Sequence, residues 1–152
     1  MNAVQLNRCK SNNNDFRLLI QELDAELSSR YGELQKQYNI HNQVELIDTV
    51  IVASVNQIPV GCGCFKRLDH QSAEIKRMFV TNEYRGHGIA RNILSALEEW
   101  AKELGFKQSF LETGIKQFEA IGLYKKAGYV TTENYGQYAG NTNSVCMTKK
   151  IE

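Results

Sequence analysis

The stretch EYRGHGIARN (Glu83–Asn92) sets two glycines one residue apart at the point where a helix must begin. Ser, Thr, Asp and Asn are the usual strong helix caps. Gly86 and Gly88 therefore point to a backbone that folds tightly or is approached closely by another group. The helix that follows is strongly amphipathic. Ile89, Ile93, Leu94, Leu97, Trp100, Ala101 and Leu104 make one apolar stripe, ended by Gly105. Ahead of the glycines, AEIKRMFV (Ala73–Val80) reads as a strand. Strand, glycine turn and amphipathic helix in that order restrict the chain to folds with helices packed on a sheet.

A helix N-terminus carries unpaired N–H groups and about half a positive charge, which favours an anion. Glycines just before it let a phosphate come close to those donors. The alternative is a tight turn with a glycine cap, and spacing leaves both open. The nucleotidase phosphate loop is absent. So is a dinucleotide fingerprint, because the third glycine position holds Arg91.

The rest of the chain supplies a sheet. A short strand is expected over Val4–Cys9, followed by the turn KSNNND and a helix carrying Phe16, Leu19, Ile20, Leu23 and Leu27 towards Tyr31. A weaker helical stretch follows around Glu33–Tyr38. Thr49–Val55, Val60–Arg67 and Ala73–Val80 read as consecutive strands. KQSFLET is a further strand, KQFEAIGLYKKAG a helix closed by Gly128, and YVTTENY and SVCMTKKI a final strand pair. The order β-α-α-β-β-β-α-β-α-β-β predicts an α/β (α+β) protein with a mixed sheet flanked by helices, as one domain over residues 1–152. Ile75 and Val80 lie five apart on one strand, so strict alternation cannot turn both to the same layer. Either a bulge lies between them or the strand is buried on both faces.

With 152 residues the chain is long enough for a real core. Its 18 basic and 17 acidic residues give a net charge of +1, so no global field holds it to nucleic acid or membrane. No window approaches the roughly 20 apolar residues of a membrane span, and MNAVQLNRCKSNNND has no apolar leader core, which makes the cytoplasm the default expectation. Cys9, Cys62, Cys64 and Cys146 form no C-x-x-C pair, and His41, His70 and His87 are scattered. Buried strand thiols and no metal site are therefore expected.

VTNEYRGHGIARNIL resembles motif A of the GNAT superfamily of N-acetyltransferases, whose fixed positions are Gln or Arg, then Gly, then Gly or Ala. Arg85, Gly88 and Ala90 fill them. AIGLYKKAGY (Ala120–Tyr129) matches the family's downstream landmark A-x-x-L-Y-x-x-x-G followed by Phe or Tyr. The resemblance covers essentially the whole chain and implies a central, mostly antiparallel sheet, with acetyl-CoA as donor. It places a backbone cradle for the pyrophosphate at Arg85, Gly86, His87, Gly88, Ile89 and Ala90. It also gives Phe79 and Val80 main-chain pairing with the pantetheine arm. His87 sits at a variable motif position. The Asn that many members carry ahead of the second motif is missing from ETGIKQFEA, which puts one pantetheine contact in doubt.

Acetyl transfer to an amine needs a proton acceptor for the ammonium and a donor for the thiolate. Glu74 is the first candidate base, at a place where some family members carry one; Glu112 is the second, and ordered water a third. The other reading of Glu74 is a strand carboxylate paired with Lys76 or Arg77. Tyr124 fills the motif tyrosine that in many members points at the CoA sulfur, and the alternative is a tyrosine packed on the sheet. Tyr31, Tyr135 and Tyr138 are candidate acceptor-site residues or loop decoration. A small amine, an amino-acid derivative and a peptide N-terminus all fit as acceptor. A non-catalytic acyl-CoA-binding module on the same fold is the rival reading. Homodimers are common in the family, although no stretch here marks an interface.

Overall fold

The computed structural model describes residues 3–31 and 46–152. The chain falls into two units, residues 1–64 with 77–97, and residues 65–76 with 98–152. The weaker helix expected around Glu33–Tyr38 lies outside the described residues.

In the first unit, β1 (Val4–Cys9) pairs antiparallel with β2 (Val50–Val55), which pairs antiparallel with β3 (Ile58–Arg67). Asn56 and Gln57 join β2 to β3 with φ of 51° and 68°. Two positive φ values in a two-residue loop give the turn whose twist matches its strands. Helix α1 (Asn14–Tyr31) opens where Asn13 Oδ1 accepts the Phe16 N–H at 3.0 Å, the cap offered by the asparagine run. Phe16, Leu19 and Ile20 of that helix pack in one cluster with Val50, Val52, Cys62, Cys64 and Phe79. Cys62 and Cys64 are thus buried strand thiols, as their alternation implies.

Helix α2 (Ile89–Glu103) carries its stripe as read: Ile89, Ile93, Leu94, Leu97 and Ala101 are all buried. Trp100 is only half-buried, and Leu104, beyond the helix end, is exposed. The helix lies against Gly61 and Gly63 of β3. A Cβ on Gly63 would stand 2.5 Å from Met78 Sδ, 2.9 Å from Leu97 and 3.0 Å from Ile93. On the strand β4 (Ser72–Val80) both Ile75 and Val80 are buried, and Arg77 between them takes φ of 60°. A left-handed residue inside a strand breaks the alternation, and the consecutive residues Ser72–Ile75 are all buried, so the strand is both irregular and buried on two faces.

In the second unit, Ser72–Ile75 of β4 pair parallel with the first residues of β5 (Gln108–Gly114). Along its whole length β5 also pairs antiparallel with β7 (Ser144–Lys150), and the short β6 (Val130–Thr132) lies on the far edge of β7. The chain reaches β6 through α3 (Phe118–Lys126). Among the described residues the sheet order is β1-β2-β3-β4-β5-β7-β6, seven strands, mixed and mostly antiparallel as expected. The strand expected over YVTTENY stops at Thr132. Asn134 then donates from Nδ2 to the carbonyls of Asn141 (2.8 Å) and Ser144 (3.3 Å), folding Glu133–Asn143 into a loop. Among the described residues no helix is long and apolar enough to cross a membrane.

Candidate active site

The first unit holds the glycine turn. After Val80 the chain makes a 3-10 turn over Asn82–Tyr84 and passes through Gly86 (φ 82°) and Gly88 (φ 80°). The first helical hydrogen bond of α2 runs from Asn92 N–H to Gly88 O at 3.1 Å. The N–H groups of Ile89, Ala90 and Arg91 therefore have no partner within the helix. Neither glycine is demanded by crowding, because a Cβ on either would meet nothing within 4 Å. Positive φ demands them, and the open space beside them is what an incoming phosphate needs. His87 and Arg91 are exposed beside this helix start.

Arg85, the first fixed position of the motif, turns its side chain away from any such role. Its Nε donates to Val80 O at 2.8 Å, while Nη1 and Nη2 fork onto Glu26 of α1 at 2.9 and 2.6 Å. The guanidinium ties the turn to the end of β4 and to α1, leaving anion contacts to the backbone. Phe79 and Val80 bury their side chains and have only main chain to offer a ligand. Arg77 pairs with Asp24 at 2.9 Å, so it is no partner for Glu74.

The second unit gathers the titratable candidates. Glu74 on β4 stands opposite Phe110 in the β4–β5 register, and Glu112 follows two residues further along β5. Glu74 is 4% exposed, and its Oε2 accepts the Tyr135 hydroxyl at 2.8 Å. Ser144 Oγ donates to Glu112 Oε2 at 2.6 Å. Burial pushes the Glu112 carboxyl up to about 7; the Ser144 hydrogen bond and the Lys76 charge oppose this, and the Glu74 charge adds to it. A carboxyl that titrates near neutrality is matched to taking a proton from an amine.

Tyr124 of α3 is buried, with its ring 5.9 Å from and edge-on to that of Tyr129. Burial, helped by the Glu112 charge, drives its phenol well above the ordinary tyrosine range, so it holds its proton throughout the neutral range. Tyr135 stands edge-on to Phe110 (5.4 Å) and to Tyr138 (5.6 Å), and Tyr138 is buried. Tyr135 and Tyr138 are thus built into the carboxylate cluster. Tyr31 ends α1, and its side chain lies outside the described residues. Cys146, the register partner of Glu112, has its thiol raised by burial, as do Cys9 and Cys62. Among the described residues no group of three or more His, Cys, Asp or Glu is placed to hold a metal ion.

Ser144 and Glu26 escaped the sequence reading. Each is defined by a partner 32 or 59 residues away, and nothing local signals either contact.

Residues 16–129 match the sequence pattern of the acetyltransferase (GNAT) family. The chain belongs to the GNAT family. An IAA acetyltransferase of Azospirillum brasilense is 32% identical over 136 residues, 88% of each chain. A Klebsiella pneumoniae structure described as an acyl-CoA N-acyltransferase superposes with a TM-score of 0.79 at 27% identity, covering 100% of this chain and 99% of that one. A Salmonella typhimurium acetyltransferase-like structure holding acetyl-CoA shares the fold at a TM-score of 0.58 and 18% identity, over 68% of this chain and 65% of that one. The GNAT protein described here is an acetyl-CoA-dependent N-acetyltransferase.

Proposed function

We propose that the protein transfers the acetyl group of acetyl-CoA to a primary amine by direct attack, with both substrates bound together. The observation that carries this is the second unit's pairing of a carboxyl titrating near 7 with a firmly protonated tyrosine, Glu112 and Tyr124.

Bound acetyl-CoA supplies an activated thioester. The N–H groups from Gly86 to Ala90 hold its pyrophosphate, and the main chain of Phe79 and Val80 pairs with its pantetheine arm. Glu112 takes the proton that the acceptor ammonium must lose. The new N–C bond forms as the C–S bond breaks, and the Tyr124 hydroxyl, which keeps its proton, donates a hydrogen bond to the departing thiolate. Direct attack is supported by Cys146: its thiol is fully buried and raised, which disfavours the thiolate needed for an acetyl-enzyme. Glu112 replaces Glu74 as the preferred base, because burial brings its carboxyl up to about 7, close to the pH at which the amine must be deprotonated.

Calorimetric titration with acetyl-CoA, with ATP as control, tests the cradle. Thiol release in the presence of an amine panel tests the transfer and excludes a purely acyl-CoA-binding module. Binding of acetyl-CoA without thiol release on any amine would reverse the catalytic reading.

A further inference from the structure

Glu74 stands beside Glu112 with its own hydroxyl donor, on a side of the chemistry that needs no second base. We propose that Glu74, held by Tyr135, is the anchor for the ammonium group of the acceptor, and that it selects amines with no carboxylate on the neighbouring carbon. The proposal rests on the acetyltransferase reading of the same site.

The geometry separates the two carboxylates by what they can still bind. Glu74 Oε2 is occupied by the Tyr135 hydroxyl at 2.8 Å, so the ammonium is assigned to Oε1. Tyr135 cannot drift from this position easily. Its ring is fixed edge-on to Phe110 and Tyr138, and the loop that carries it is tied down by the two Asn134 hydrogen bonds. A carboxylate only 4% exposed is poorly hydrated, so a cation reaching Oε1 is held more strongly than at a surface acid.

The charges bearing on this cluster come from several elements. Glu74 and Lys76 lie on β4 and Glu112 on β5, with the neutral phenols of Tyr124, Tyr135 and Tyr138 and the Cys146 thiol around them. Two acids against one lysine favour an incoming ammonium and repel a carboxylate carried close to it. Free α-amino acids are therefore poor acceptors. Alkyl amines and chains whose α-carboxyl is masked as an amide, as in a peptide N-terminus, are good ones.

Steady-state kinetics of the full chain at saturating acetyl-CoA, with phenylalanine amide, phenethylamine and phenylalanine, test this. The amide and the plain amine are expected to exceed the acid about tenfold or more in kcat/KM. An acid that matches either would overturn the selection. Glu74→Gln should lower kcat/KM for the amide about tenfold, the loss carried by KM, with acetyl-CoA affinity unchanged in calorimetry. Tyr135→Phe keeps the ring packing, removes only the hydroxyl and should raise KM in the same direction by less. A Glu74→Gln protein that instead loses kcat at constant KM overturns the anchor and makes Glu74 a group of the chemistry. Acetyl-CoA binding with none of the three amines acetylated overturns the anchor alone. Failure of the wild-type chain to bind acetyl-CoA removes the acetyltransferase reading beneath it.

Discussion

The glycine turn of the first unit and the carboxylate–tyrosine cluster of the second are built on opposite principles. The turn works with backbone. Its donors come from consecutive residues at one helix start, and its one anchored side chain, Arg85, holds the turn in place. The cluster works with side chains: Glu74, Glu112, Tyr124, Tyr135 and Ser144 come from two strands, a helix, a loop and a third strand. Apart from its anchor Arg85, a backbone device tolerates change in every side chain except where φ is positive. A side-chain device fails with any one of its members but can be retuned one group at a time.

The sharpest test of that contrast is Glu112→Gln, which should lower kcat by about a hundredfold to ten-thousandfold while leaving acetyl-CoA affinity unchanged. Single-turnover thiol release and calorimetry on the same preparation read the two quantities. Tyr124→Phe is expected to lower kcat by about a hundredfold, again with binding spared. Gly88→Val is the converse. It forces a β-branched residue to φ of 80° and should weaken acetyl-CoA binding by about tenfold to a hundredfold. Loss of binding in Glu112→Gln, or its retention in Gly88→Val, would break the division between the two regions.

The smallest effect is one of pH. A carboxyl raised to about 7 by burial favours its protonated form in the folded state. Its contribution to stability is complete below the ordinary carboxylate range near 4 and is lost as pH rises through 7. Glu112→Gln removes that loss, so its melting temperature relative to wild type should be more favourable at pH 8 than at pH 5. An equal difference at the two pH values would place the Glu112 titration elsewhere.

The same contrast explains what the sequence revealed. The glycine turn was legible because Gly86, Gly88 and the stripe from Ile89 to Ala101 are contiguous, and the strand order followed from local patterns. The β4 irregularity showed as a parity conflict, but parity could not point to Arg77 as the residue that absorbs it. In the cluster, Tyr124 was named by a motif and Glu74, Glu112, Tyr135 and Tyr138 as single candidates, but nothing local showed that they meet. Ser144 reaches Glu112 through the β5–β7 register, which sets Gly114 opposite Ser144. Such a register is fixed by tertiary packing, and no local spacing encodes it. The loss of the last predicted strand residues has the same origin, since Asn134 finds its partners only once β7 is in place.

Gly63 lies far from any phosphate in the chain order, yet it sets how near α2 rides to β3. An alanine there would press on Met78 Sδ, Leu97 and Ile93, at 2.5, 2.9 and 3.0 Å, and wherever those side chains cannot turn aside α2 would lift to make room. Because the cradle is the first turn of that same helix, the displacement would carry its N–H groups with it. The absent methyl group of a strand residue thus acts as a shim for the helix start at which we place the acetyl-CoA pyrophosphate.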